Sequence, residues 1–258
     1  MKIESLYIYP VKSTIGISLE EIKVGKIGFE NDRCFGNVNS FNEIITAREN
    51  PKLLKLKTEI NNEKLKIFYK NQSKIVALNV PQKNIEVSLF KEITHGNVII
   101  DNEINNWLTK ILETDSRIVK VDAKNFRETN NIKISFNDVY PIHLINLESV
   151  SVLNEKLDIP VEASRFRSNI IVSGFKAFEE NNWKEIVIGE CQFRVVSKTE
   201  RCSLITIQPE NGQRDKNQEP LRTLAKSFKS KGKVNFGIYL IPIKIGVIKK
   251  SDKVIIRT

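Results

Sequence analysis

Ile3-Glu4-Ser5-Leu6-Tyr7-Ile8-Tyr9 is a short run of β-forming residues closed by Pro10. Such a run, bounded by a residue that cannot donate to a sheet ladder, reads as a strand. Runs of the same kind follow at Leu19–Val24, Cys34–Val38, Leu54–Ile60, Leu65–Tyr69, Ile75–Val80 and Ile85–Phe90. Turns rich in Gly, Asn and Lys separate them. Many short strands at even spacing predict a sandwich or barrel. Further strands are expected at Asn169–Val172, Glu185–Ile188, Gln192–Ser197, Gly237–Ile243 and Lys253–Arg257. The fold class expected is therefore mainly β with a few helices, β-barrel-like.

Three helices interrupt the pattern. Between Asp101 and Leu112, Ile104, Trp107, Leu108, Ile111 and Leu112 fall on one face, and Asp101 can cap the first turn. Trp107 then belongs with the core. Leu147–Leu157 has Val150, Leu153 and Leu157 at helical spacing. A third helix begins near Pro220, a residue suited to a first turn. The polar stretch Asp122–Asp138 is expected to loop out. A chain of 258 residues can hold one large or two modest domains. Soft boundaries lie in Thr94–Asp101 or Asp122–Asp138, and the division expected is 1–122 and 123–258.

Composition narrows the class. Hydrophobic residues make up 40% and charged residues 28%, the balance of an ordinary globular protein. The net charge of +10 invites a nucleic-acid reading. No dense basic run supports that, so the lysines are expected on solvated faces, with no specific nucleic-acid partner. No apolar run approaches a membrane span. Glu4 stands where a signal peptide needs apolar residues, so a cytoplasmic location is expected. The three cysteines, Cys34, Cys191 and Cys202, are odd in number and widely spaced, which argues against a disulfide scaffold.

Chemistry concentrates late in the chain, at Lys198-Thr199-Glu200-Arg201-Cys202-Ser203-Leu204-Ile205-Thr206-Ile207. An arginine beside a thiol favours the thiolate, the form that attacks or binds metal, whereas Glu200 opposes it. No Cys-x-x-Cys pair accompanies Cys202, so a zinc cage is not expected. A single soft ligand suits a metal whose other ligands come from a cofactor. Arg165, Arg167 and Asn169 alternate along a predicted strand, which would turn all three to one side and Phe166 and Ile170 to the core. Two arginines and an amide suit an anionic ligand with a hydrogen-bonding edge. Lys12 follows the first strand, where a loop can turn toward a ligand. His95 and His143 form no pair, and His143 is expected to be packed. Neither a Walker loop nor a dinucleotide fingerprint is present.

Seven blocks in order carry a resemblance: Tyr9-Pro10-Val11-Lys12-Ser13; Gly28-Phe29-Glu30-Asn31-Asp32-Arg33; Thr46-Ala47-Arg48-Glu49-Asn50-Pro51-Lys52-Leu53; Arg165-Phe166-Arg167-Ser168-Asn169-Ile170; Arg201-Cys202; Glu219-Pro220-Leu221-Arg222-Thr223-Leu224; and Phe236-Gly237-Ile238-Tyr239. Together they resemble the MOSC family of molybdenum-cofactor proteins that carry an N-terminal β-barrel domain, in the branch of the amidoxime-reducing component. The resemblance implies a molybdenum oxidoreductase that binds Mo-molybdopterin between two closely packed β domains. It implies reduction of small N-oxygenated substrates, amidoximes and hydroxylamines among them, with electrons from a separate donor protein, a flavin, haem or iron–sulfur reductase. The alternative is a cofactor or sulfur carrier that uses Cys202 without redox turnover. At family level the resemblance also brings pyridoxal phosphate binding, with no residue assigned to it.

Carried residue by residue, the resemblance makes Cys202 the metal ligand and catalytic residue. Lys12, Ser13, Arg33, Arg165, Arg167, Asn169 and Arg201 would bind the cofactor. Asp32 would hold Arg33 by an ion pair, and Arg48 would be structural or line the mouth of the site. Ser168 stands where the family usually has proline, and Gln208 where aspartate is common.

Overall fold

The first predicted strand forms as Lys2–Ile8, and its partners come from both halves of the chain. It pairs antiparallel with Ile17–Leu19 on one side and with Ile170–Ser173 on the other. The computed structural model describes residues 1–61, 63–230 and 232–257. Beyond Ile170–Ser173 the same sheet runs through Ile142–Asn146, Lys233–Lys244, Cys191–Glu200, Glu185–Ile188 and Val254–Arg257. The architecture is mainly β.

Burial explains why the N-terminal strand joins the late ones. Ile3 and Leu6 lie fully inside with Ile142, Leu144, Ile170, Val172, Phe193 and Ile238. Each such side chain contributes about 1.5–3 kcal/mol on leaving water. A second link joins the two ends of the chain: Gly246–Lys249 pairs with Glu21–Gly25. The strand Lys233–Lys244 passes close to its neighbour at Gly237, where φ is +80°. A Cβ there would stand 2.6 Å from both His143 Nε2 and the Leu144 carbonyl, so only glycine fits.

The remaining sheets are smaller. Phe35–Val38, Arg117–Val121, Glu92–Ile99 and Gln82–Leu89 form a four-stranded sheet, and Lys57–Ile60, Lys64–Tyr69 and Gln72–Ala77 a three-stranded one. Helix α1, Asn102–Leu112, packs Ile104, Leu108 and Leu112 into the core between them. Asp101 caps it, accepting from the Glu103 and Ile104 N–H groups. Trp107 is only partly buried, and its indole N–H donates to Gln72. Helix α2, Leu147–Asn154, bridges the parallel pair Ile142–Asn146 and Ile170–Ser173, and α3 is Leu221–Ser227.

Several expectations change. Leu54 sits in a tight 3₁₀ turn, Pro51–Lys55, and the strand begins only at Lys57. Thr94–Asp101 contains most of the strand Glu92–Ile99 and the cap of α1. Asp122–Asp138 does not simply loop out. It makes a hairpin, Arg127–Thr129 with Ile132–Ile134, because Ile134 and Phe136 are drawn into the core and Arg127 is buried beneath it. The return leg delivers Asp138 to the cleft described next.

Candidate functional site

Arg165, Arg167 and Asn169 do not share a strand. Ala163–Phe166 is a 3₁₀ turn, and Arg167 follows it in the left-handed region at φ +54°. That turn breaks the two-residue alternation on which a shared face depends. Phe166 and Ile170 nevertheless lie in the core. Arg165 turns away and donates to the Ile205 carbonyl at 3.3 Å. Arg167 and Asn169 reach a cleft of about 90 Å³ that also takes in Lys12, Ser13, Arg33, Arg201 and Cys202. Of the eight residues singled out from sequence, the structure brings seven together and leaves out Arg165.

The floor of the cleft is organised by Tyr9, the last residue of the opening run. Its ring is 3% exposed. The Arg33 and Arg167 guanidiniums lie over that ring, 4.2 and 4.3 Å from its centroid. The Tyr9 hydroxyl donates to the Ser168 carbonyl at 3.2 Å, and its backbone N–H donates to Asp32 Oδ1 at 2.8 Å. Asp32 accepts from Arg33 Nη1 at 2.7 and 2.6 Å, the ion pair expected from sequence. Arg33 also donates to the Arg167 carbonyl, and Arg167 to the Thr14 carbonyl at 2.7 Å. Gly16 leaves room for the ring, since a Cβ there would meet Tyr9 at 2.6 Å.

Lys12 is buried, held on the backbone by donating its N–H to the Phe35 carbonyl. Its ammonium donates to the Phe136 carbonyl at 2.7 Å and pairs with Asp138. Burial pulls the Lys12 pKa down and Asp138 opposes that. Burial would raise Asp138, but Lys12, Arg48 and Arg33 hold its carboxyl down at about 2. Arg127 fixes this loop from beneath, donating to the Asn137 and Asp138 carbonyls while pairing with Glu92.

Asn169 is fully committed to backbone. Its side-chain amide donates to the Tyr7 carbonyl, and its oxygen accepts from the His143 N–H. His143 is packed as expected, opposite Tyr239 across paired strands. Burial, then the Arg201 and Arg33 charges, push its pKa well below the usual histidine value. It is therefore neutral, and Arg201 Nη1 lies 3.4 Å from its Nε2.

Arg201 and Cys202 follow the end of the strand Cys191–Glu200. Arg201 donates to the Phe166 carbonyl at 2.9 Å, and its Nε is buried without a hydrogen-bond partner. Burial lowers the Arg201 pKa, and it lowers that of Arg167 to about 10. Neither guanidinium has a carboxylate partner among the described residues. Desolvated cations without counter-ions are costly, and an anion entering the cleft would offset that cost. The Cys202 thiol makes no capping bond to the turn that follows it. Cys34 and Cys191 are free thiols pushed up to about 11 by burial.

Sequence reasoning missed Asp138, Tyr140, Tyr239 and Phe90, which also line the cleft. Arg48 lines it too, as one of its two readings allowed. Five cationic side chains, Lys12, Arg33, Arg48, Arg167 and Arg201, face two acids, Asp138 and Glu200, and Glu200 is engaged by Lys233 at 3.1 Å. Among the described residues no three His, Cys, Asp or Glu side chains gather to cage a metal. A metal here must bring ligands of its own. One thiol beside three desolvated cations, Lys12, Arg167 and Arg201, and an unpartnered guanidinium N–H is a donor set that fits an anionic, metal-carrying cofactor.

Both ends of the chain thread this β framework, and one cysteine opens on its cationic cleft. The chain belongs to the MOSC family: residues 131–255 match the MOSC domain and residues 1–115 the MOSC N-terminal beta barrel domain. It is 32% identical to mitochondrial amidoxime reducing component 2 of Rattus norvegicus, over 98% of this chain and 82% of that protein. It is 27% identical to mitochondrial amidoxime-reducing component 1 of Homo sapiens, with the same coverage. It is also 29% identical to molybdenum cofactor sulfurase of Oryza sativa, over 92% of this chain but only 32% of that protein.

Proposed function

We propose that this chain is a molybdenum-cofactor-dependent reductase of N-hydroxylated compounds, amidoximes and hydroxylamines in particular, supplied with electrons by a separate protein. The observation that carries the reading is Cys202 opening on a cleft with five cationic side chains and, among the described residues, no metal cage of its own. Likeness to amidoxime reducing components over nearly the whole chain supports the same reading.

In this reading the Cys202 thiolate would hold the metal, and the bound cofactor would supply the two-electron chemistry. Arg33, Arg167 and Arg201 would hold its anionic groups through fork-shaped donors, and Lys12 and Ser13 would add a point charge and a hydroxyl. Asn169 would act by bracing the Tyr7 and His143 backbone rather than by touching the ligand. Arg165 falls outside the proposed set. In this reading the donor is a partner, a flavin, haem or iron–sulfur protein, and among the described residues the three free cysteines do not gather into a set that would hold a cluster.

A second reading is favoured by the match to molybdenum cofactor sulfurases, of whose length this chain spans about a third. There Cys202 would carry cofactor or sulfur without turnover. Metal and pterin content of protein made in a host that synthesises the cofactor separates the two. The reductase reading expects near-stoichiometric molybdenum and pterin, lost or spectrally altered in Cys202→Ala, with turnover abolished. Metal-free protein with labile sulfur on Cys202 would favour the carrier.

A further inference from the structure

The strands Gln82–Leu89 and Glu92–Ile99 are joined by a two-residue turn, Phe90–Lys91. Both turn residues lie in the left-handed region, at φ +54° and +69°. Such turns ordinarily take Asn-Gly or Asp-Gly, because a side chain at positive φ is strained. A phenylalanine is among the poorer choices for this position. The residue is 41% exposed, so burial in the core does not explain it.

The ring points at the cleft. Phe90 lines it, with Lys12 Nζ 5.1 Å and the Arg48 guanidinium 4.5 Å from the ring centroid. The other lining residues with rings or large apolar side chains are less available: Phe166 is stacked on Phe236 in the core, Leu204 is partly packed, and the half-buried Tyr140 and Tyr239 rings lie against each other, 5.6 Å between centroids, and carry polar hydroxyls. Phe90 is thus the exposed ring without a polar group in the lining. Its partner Arg48 adds a flat guanidinium, which also stacks on π systems. An aromatic ring kept exposed at a strained position beside a cationic cleft is an outlier that calls for a functional explanation.

We propose that Phe90 is a specificity-determining residue: its ring, with Arg48 beside it, receives the planar, aromatic body of the substrate, so that the cleft selects aryl over alkyl carriers of the reacting group. The proposal rests on the reductase reading for the identity of that group, but not for the contact itself. A small alkyl body leaves the exposed ring in water, whereas an aryl body covers it. Stacking of this kind is worth about a fivefold change in selectivity.

The test compares benzamidoxime with acetamidoxime, which share the N–OH group and differ in the body. The protein used is cofactor-loaded wild type, Phe90→Asn and Phe90→Tyr. Asparagine suits the turn, so loss of folding does not confound it, and its thermal midpoint should equal or exceed that of the wild type. The expected result is that the ratio of kcat/KM for benzamidoxime to that for acetamidoxime falls about fivefold in Phe90→Asn and is restored in Phe90→Tyr. A ratio unchanged within twofold overturns the proposal. Binding of the two amidoximes, followed by titration calorimetry, is measured in parallel. If the loaded wild type reduces neither compound, the reductase reading fails. The contact then stands only if wild type binds benzamidoxime more tightly than acetamidoxime and Phe90→Asn erases the difference, and it falls otherwise.

Discussion

Replacing Tyr9 tests whether the cationic floor is assembled by one ring. Two substitutions separate its parts. Tyr9→Phe removes only the hydroxyl bond to Ser168, a 3.2 Å contact worth about 1 kcal/mol. In a domain of this size that should lower Tm by about 2–4 °C. Tyr9→Leu also removes the surface on which Arg33 and Arg167 rest. Each desolvated cation–π contact contributes about 1–2 kcal/mol, and the lost ring leaves a void, so the expected loss is about 4 kcal/mol in all. The functional consequence should be larger than the thermal one. Arg167 has no carboxylate to hold it, only the ring and the Thr14 carbonyl, so the guanidinium should lose its aim. The assay is guanidinium unfolding alongside molybdenum and pterin content of the purified variants. Tyr9→Phe should unfold slightly early and keep its cofactor, while Tyr9→Leu should unfold much earlier and lose it. Equal unfolding midpoints for the two variants, or full cofactor retention in Tyr9→Leu, would refute the idea that the ring positions both arginines.

Two further predictions concern pH. Asp138 has a carboxyl held down at about 2, with Lys12 the chief cause opposing burial, so its contribution is present above the unfolded value of about 4 and is lost as pH falls toward 2. The urea midpoint should therefore drop across that acid window, and Asp138→Asn should flatten the drop; an unchanged slope would reject the pairing with Lys12. His143 acts in the same direction in a higher window: buried and neutral, it binds no proton where the unfolded chain does, so stability should decline as pH falls below about 6.5. Its ring carbon shifts in NMR should stay flat between pH 5 and 8, and a titration centred near 6.5 would contradict the packing described.

The strands that could be read from sequence are those whose apolar alternation is local. Lys2–Ile8, Lys64–Tyr69 and Glu185–Ile188 each carry that pattern, and each forms within a residue or two of its expected bounds. Glu92–Ile99 was not legible, because Thr94, His95, Gly96 and Asn97 interrupt any apolar period. Its strand character comes from pairing with Gln82–Leu89 along its whole length. Ile142–Asn146 is absent from the strands expected from sequence, yet it lies in the middle of the large sheet between two strands that are distant in sequence. Asp138 was hidden by its polar neighbours. The signal that could have found it is Ile134 and Phe136, two apolar residues spaced by two at the end of a polar stretch, which pull the chain inward just before it.

The candidate site was legible where the blocks name a residue, and misread where an argument about backbone was needed. Placing Arg165, Arg167 and Asn169 on one face assumed extended backbone, but Arg167 sits at φ +54°. Ser13 at +72° and Arg33 at +49° share that region, and Phe90 at +54° faces them across the cleft. A non-glycine residue in this conformation costs of order 1–3 kcal/mol. Glycine would remove that cost at all four positions but would also remove a hydroxyl, two guanidiniums and an aromatic ring from the lining. Elsewhere this chain does use glycine where the backbone requires it, as at Gly237 against His143. At these four positions the side chain is what the cleft uses, and Asp32, Tyr9 and the Thr14 carbonyl are fixed points that hold the turns at Arg33 and Arg167 in place.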